Sequence, residues 1–382
     1  MRNLTFGKTI IIGSGSLNYM KNVEYKSAFI VTGGGSMIRS GVIDRIKEYM
    51  HHDNCDITVY TGIGKNPTIN EVIDGLKVMN DVQPDLVVAV GGGSAMDAAK
   101  GMVLFYEFPY LTFENVLEQA IPEERTKCKL VCIPSTSGTG TEVTKGTVLT
   151  DPEKELKVPI MRPCLRPDIA ILDADITMSM PSNIVAETGM DALTHAIESF
   201  INKNMDDFDE AFAISAIKGI MEWLPISCKD ATIEAREKMH NYQAMAGISF
   251  ANVGLGMVHG IAHSYGAIFN LAHGVANAII LPYALDFNKR DQSVAKKLND
   301  LSYYCKCDDI IKAIKEMSKN IGIPKSFKEL GITEKQFNDN FNLLLEHSML
   351  GATKVNPVVI TKETMSKIIK NVYYGEAIEF DV

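Results

Sequence analysis

The chain of 382 residues carries 38 basic and 47 acidic side chains, a formal charge of −9, and 46% of its residues are hydrophobic. Both halves are acidic (18 basic against 22 acidic up to Met180, then 20 against 25), so no region offers the broad positive field that nucleic acid or an anionic membrane requires. No apolar run reaches the roughly 18 residues of a membrane span, and residues 1–12 lack a signal-peptide pattern.

Up to about residue 175, short β-branched runs alternate with helical stretches. Residues 28–32 (AFIVT) predict a buried strand, followed by Gly33-Gly34-Gly35-Ser36 and a helix through Tyr49. A strand at 57–60 and a helix at 68–82 come next. Residues 86–90 (LVVAV) show no polar alternation, as expected of a parallel strand covered on both faces, and run directly into Gly91-Gly92-Gly93-Ser94 and another helix. Strands at 130–133, 143–149 and 169–172 complete the pattern. Such alternation predicts a doubly wound α/β sheet. After Pro181, helices dominate, at 184–203, 208–223, 234–251 and 257–270, with more to the carboxyl terminus. The expected division is an α/β domain over 1–180 and an all-helical domain over 181–382.

Glycine between a strand and a helix lets the backbone approach a phosphate, while free N–H groups of the helix start point at it. Two GGGS turns sit at such junctions, although neither is GxGxxG. A third turn, Pro134-Ser135-Thr136-Ser137-Gly138-Thr139-Gly140-Thr141-Glu142, adds hydroxyl donors after a buried strand. Three such turns favour a dinucleotide over plain solvent loops. Among eight histidines, His195 follows Asp191 by four residues, and His263 follows His259 by four, so each pair shares a helix face. His273 follows in a loop-like HG. Imidazoles with a carboxylate suit Fe²⁺ or Zn²⁺. The seven cysteines, Cys55, Cys128, Cys132, Cys164, Cys228, Cys305 and Cys307, contain no CxxC pair. Thiols in a reducing cytoplasm are therefore expected, with no zinc ribbon or disulfide framework.

The stretches GGGSAMDAAK (91–100), IPSTSGTGTEVT (133–144), GMDALTHAIESF (189–200) and HGIAHSYGAIFNLAHGVANA (259–278) resemble the iron-dependent, group III alcohol dehydrogenases, nearest their NADPH-dependent butanol dehydrogenase branch. The resemblance runs essentially the whole length. It implies a dehydroquinate-synthase-like fold with the active site in an interdomain cleft, and a homo-oligomer, with a dimer as the first expectation. It implies metal ligands Asp191, His195, His259 and His273, with His263 near the nicotinamide and Phe250 lining the active site. Gly92, Gly93, Ser94 and Asp97 match diphosphate and nicotinamide contacts; Ser135, Thr136, Thr139 and Lys157 match further cofactor contacts. The implied chemistry is hydride exchange between a short primary alcohol or diol and NAD(P), with the ion as Lewis acid on the substrate oxygen. His263 is then the candidate catalytic proton relay or a polar wall beside the ring.

Coenzyme choice has its own physical argument. An acid at the end of the first strand would bond an adenosine 2′-hydroxyl and repel a 2′-phosphate. Gly33 stands there instead, Gly34 and Gly35 leave room, Ser36 can donate, and Arg39 supplies charge. NADP(H) is expected over NAD(H). Competing readings are an NAD(H)-dependent diol dehydrogenase of the same fold, such as a 1,3-propanediol dehydrogenase or lactaldehyde reductase, glycerol-dehydrogenase or dehydroquinate-synthase chemistry, a metal-dependent hydrolase, and a nucleotide sensor. The hydrolase leaves the three sheet turns unexplained.

Overall fold

A computed structural model describes residues 4, 7–51, 55–154 and 156–377; residues 1–3, 5 and 6 of the stretch read for a leader lie outside it. The chain forms two compact units. One comprises the residues up to Met180 together with Thr232–Ala244, the other Pro181–Ala231 and the residues from Met245 onward. The expected domain boundary thus needs one correction, because Thr232–Ala244 groups with the first unit.

In the first unit the elements are β1 (Thr9–Ile12), β2 (Ser27–Gly33), α1 (Ser36–Arg39), α2 (Val42–Met50), β3 (Asp56–Ile63), α3 (Ile69–Val82), β4 (Leu86–Gly91), α4 (Gly93–Glu107), β5 (Lys129–Pro134), β6 (Gly146–Asp151), β7 (Leu156–Met161), β8 (Ile169–Leu172) and α5 (Ala174–Thr177). Six strands pair in parallel in the order β1-β8-β5-β4-β2-β3. Alternate side chains enter two cores. Phe29, Val31, Val87, Ala89, Leu130 and Cys132 pack on one face, and Ala28, Ile30, Val88, Val90, Val131 and Ile133 on the other. Each fully buried Val, Leu, Ile or Phe contributes about 1.5–3 kcal/mol, which explains why the unbroken apolar runs find the middle of the sheet.

Three expectations change. The single helix expected after Gly33 is two, because Gly41 adopts φ +72° and breaks α1 from α2. The strand expected at 143–149 begins at Gly146 as β6 and leaves the main sheet to pair antiparallel with β7. Strand β1 is an additional edge strand, too short for an alternation signal.

The later elements are α6 (Ser182–Ile201), α7 (Asp207–Lys229), α8 (Ile233–Val253), α9 (Met257–Phe269), α10 (His273–Asn288), α11 (Gln292–Tyr304), α12 (Ile310–Asn320), α13 (Phe327–Leu330), α14 (Glu334–Ser348) and α15 (Lys362–Tyr374). Asp206 caps α7 by accepting from Phe208 N and Asp209 N, and the helix continues past the expected stop at Trp223 with Pro225 inside it. By length and apolarity α7 could cross a bilayer. One face of it is buried, through Ala213, Ala216, Ile217, Ile220 and Leu224.

Candidate active site

Asp191, His195 and Glu198 recur at i, i+4 and i+7 on α6 and therefore share one face. Helix α9 presents His259, and α10 opens with His273. The loop expected at His273 is a helix start, with Ala272 as N-cap. Gly274 makes this placement possible, since a Cβ there would sit 2.2 Å from the Glu187 carbonyl oxygen and 3.4 Å from Asp191 Cβ. Where α10 meets the Glu187 carbonyl of α6, only a residue without a Cβ fits.

Donor atoms of Asp191, His195 and His259 all lie within 4.8 Å of one another, and all three residues are buried. His273 falls outside that mutual group, yet its Nε2 is 3.8 Å from Asp191 Oδ1, close to the 3.9 Å of His259 Nε2. Three imidazoles and one carboxylate thus converge, with no thiol among them. That donor set fits a borderline divalent ion such as Fe²⁺ or Zn²⁺. Phe250 stacks on the His195 ring, centroids 4.3 Å apart, which restrains the imidazole from one side. His263 is half-buried and stacks on His273 at 5.0 Å, 6.1 Å from the His259 ring.

Glu198 completes the arrangement. Its Oε2 accepts from His259 Nδ1 at 2.6 Å, and its Oε1 accepts from Val258 N at 2.7 Å. One carboxylate therefore caps the start of α9 and commits the His259 proton to Nδ1, which leaves the Nε2 lone pair facing Asp191. The sequence reading singles out neither Glu198 nor Asn277, which also reaches this cluster. The i+7 spacing of an acid on an apolar helix was the available signal for Glu198. Asn277 shows the same kind of signal, four residues after His273.

The first unit gathers its polar turns at the carboxyl ends of β2, β4 and β5. Strand order reverses between β2 and β4, the place where open α/β sheets bind ligands. Gly33 and Gly91 are neighbours across that reversal, a Cβ on Gly91 lying 4.0 Å from Gly33 N. Gly92 caps α4 with no side-chain bond and no acid in the first turn, so its N–H groups suit an anion. Gly93 is needed because a Cβ would meet Thr139 Cγ2 at 2.6 Å. Ser135 N donates to Gly91 O at 2.8 Å, so the GGGS turn and the hydroxyl turn form one surface. Thr136, Thr139 and Ser94 are half-buried, and Ser94 Oγ donates to Lys65 O.

Behind this surface lies a buried scaffold. Lys100 Nζ donates to the carbonyls of Thr141, Thr144 and Gly146, at 2.6, 2.8 and 3.0 Å. Gln243 Oε1 accepts from Gly140 N at 2.9 Å while its Nε2 donates to Glu142. Ser137 Oγ bonds His240 Nδ1 at 2.8 Å. Burial pushes Asp97 up to about 7, against the pull of Lys100 and Lys157, and pushes His240 down to about 4. Lys157 lies on β7 opposite Thr150. Arg39 is exposed but folds back over its own turn, its Nη1 3.0 Å from where a Gly35 Cβ would be. Gly34, by contrast, has open space above it.

Comparison with known proteins agrees with this geometry. A model described as iron-containing alcohol dehydrogenase matches residues 7–174, and one for the C-terminal part of the Fe-containing alcohol dehydrogenase family matches residues 185–373. The NADPH-dependent butanol dehydrogenase of Clostridium saccharobutylicum is 39% identical, covering 100% of both chains. The 1-propanol dehydrogenase of Citrobacter freundii is 33% identical over 97% of this chain and 99% of its own. Among solved structures, an iron-containing alcohol dehydrogenase from Thermococcus thioreducens superposes with a TM-score of 0.89 at 31% identity, covering 98% of this chain and 100% of that one.

Proposed function

The chain belongs to the iron-containing alcohol dehydrogenase family, and from that premise we propose that it interconverts short-chain primary alcohols and aldehydes with NADP(H). The observation that carries the reading is the buried donor cluster of Asp191, His195 and His259, with His273 beside it. These four residues would hold the divalent ion. When bound, that ion supplies Lewis acidity toward the substrate oxygen, and the nicotinamide supplies or takes the hydride.

The protein's own groups bind, orient and exclude water. Glu198 holds the His259 tautomer, and Phe250 and the stacked imidazoles keep the cluster dry on the faces they cover. Gly92, Gly93 and Ser94 offer backbone donors to the diphosphate; Ser135, Thr136 and Thr139 offer hydroxyls; Asp97 and Lys157 stand beside them. His263, more accessible than the ligand imidazoles His195 and His259, is the proton carrier between the site and solvent. His263→Ala is expected to retain metal and lose turnover; an unchanged pH–rate profile would overturn the relay.

Coenzyme preference rests on Gly33, Gly34, Gly35, Ser36 and Arg39. No carboxylate stands in this turn to repel a 2′-phosphate, and the guanidinium lies over it. The test uses protein loaded with Fe²⁺ or Zn²⁺, follows consumption of NADPH or NADH during reduction of butyraldehyde, and follows formation of either from its oxidised form during oxidation of 1-butanol, 1,2-propanediol and 1,3-propanediol. Higher kcat/KM with NADPH and butyraldehyde is expected, and Arg39→Ala should raise KM for NADPH while leaving that for NADH unchanged. Equal efficiency with NADH would overturn the coenzyme assignment, and a preference for the diols would overturn the substrate assignment.

A further inference from the structure

Asn277 is fully buried, one turn along α10 from His273. Its Nδ2 donates to Asp191 Oδ1 at 2.6 Å and lies 3.2 Å from His259 Nε2 and 3.1 Å from His273 Nε2. A carboxamide nitrogen has two hydrogens, and here three acceptors surround it. The opposite amide orientation would bring an oxygen against a carboxylate oxygen and the lone pair His259 directs inward, so the acceptors set the orientation.

Resting on the reading of this cluster as the metal site, we propose that Asn277 is a positioning residue that gathers Asp191, His259 and His273 around one donor group and presets their ligating atoms. The three acceptors differ in what they can share. A carboxylate oxygen has lone pairs for both an amide hydrogen and a cation, so the Asp191 bond persists when metal binds. Each Nε2 has one lone pair, which the cation takes. Loading therefore releases one amide hydrogen, the one shared between the two imidazoles, and retains the other. Without Asn277, the buried carboxylate loses its short hydrogen bond, and the two rings are no longer drawn to a common point.

The test is Co²⁺ binding by metal-free protein in competition with a chelator, for the wild type and Asn277→Ala. The variant is expected to bind about 10–100-fold more weakly, the usual effect of losing a group behind the ligands, and to shift the Co²⁺ ligand-field bands. Equal or tighter binding with an unchanged spectrum overturns the proposal while leaving the metal reading intact. A wild type that binds no Co²⁺ overturns both. Should Asn277→Ala fail to fold, the ¹⁵N-labelled side-chain amide of the wild type is followed during Zn²⁺ titration. One amide proton should keep its hydrogen-bonded shift while the other moves; both moving, or neither, overturns the proposal.

Discussion

Two titrating residues of the first unit, the half-buried Asp97 and the buried His240, pull its stability in opposite directions with pH. Asp97 has a folded pKa near 7 against an ordinary 3.8, so the folded state holds a proton that the unfolded chain has lost. Its contribution is full at low pH and fades as pH rises from about 4 to about 7. His240 has a folded pKa near 4 against 6.5, so its contribution is full above 6.5 and fades as pH falls toward 4. The two slopes oppose each other across one window. Asp97→Asn should therefore leave a protein whose Tm drops on acidification from 6.5 to 4, and His240→Asn one whose Tm drops as pH rises from 4 to 7. Parallel Tm–pH curves for wild type and both variants would refute this pairing.

Glu198 makes a different kind of prediction, because it serves two groups with one carboxylate. Glu198→Ala removes the bonds to Val258 N and His259 Nδ1 together. The expected cost is about 1–3 kcal/mol of stability with about 10–100-fold weaker metal binding. Urea unfolding of the metal-free protein reads the first effect, and chelator competition reads the second. A stability loss without a change in metal affinity would reduce Glu198 to a helix cap.

Among the elements, α10 needs Gly274 at its approach to α6. A Cβ would meet the Glu187 carbonyl oxygen at 2.2 Å, and a backbone atom cannot turn aside. Gly274→Ala should cost at least the roughly 1–3 kcal/mol of ordinary overpacking and should displace His273 as α10 backs away from α6. A lowered Tm together with weakened metal binding checks it; a normal metal affinity would show that His273 stays in place. What the sequence reveals at this scale follows from how much each element depends on its own residues. Strands β2, β4 and β5 are legible because both faces are covered, so their apolar runs are continuous. Helix α6 is legible at Asp191 and His195 because spacing alone puts them on one face. Strand β7 hides behind Pro159, and its pairing with β6 is a long-range fact. Spacing puts Glu198 on the face of Asp191 and Asn277 one turn from His273, but their partners lie on other helices, which no local pattern encodes.

At the scale of the molecule, a chain of net charge −9 is read as taking a polyanionic coenzyme, and the two facts concern different places. The acidic side chains set the average surface, whereas the groups proposed to face the phosphates are backbone N–H groups of Gly92–Ser94 and the cation Arg39. The binding groups proposed for the two ligands also fall to different units: the glycine and hydroxyl turns belong to the first, the donor cluster to the second. Helix α8 is divided between them, with His240 and Gln243 holding the hydroxyl turn in the first unit and Phe250 packing on His195 in the second. A ligand that binds only the folded state stabilises it by an amount that grows with the logarithm of its concentration over Kd. Hydrogen exchange should therefore separate the two ligands. Chelation is expected to speed exchange in α6, the start of α9 and the start of α10, while leaving the segments 91–97 and 135–142 as they were. NADPH should slow exchange in those two segments and in residues 233–244 of α8, and metal should slow it in residues 245–253. If either ligand alone protected both units equally, the division of binding groups between them would be wrong.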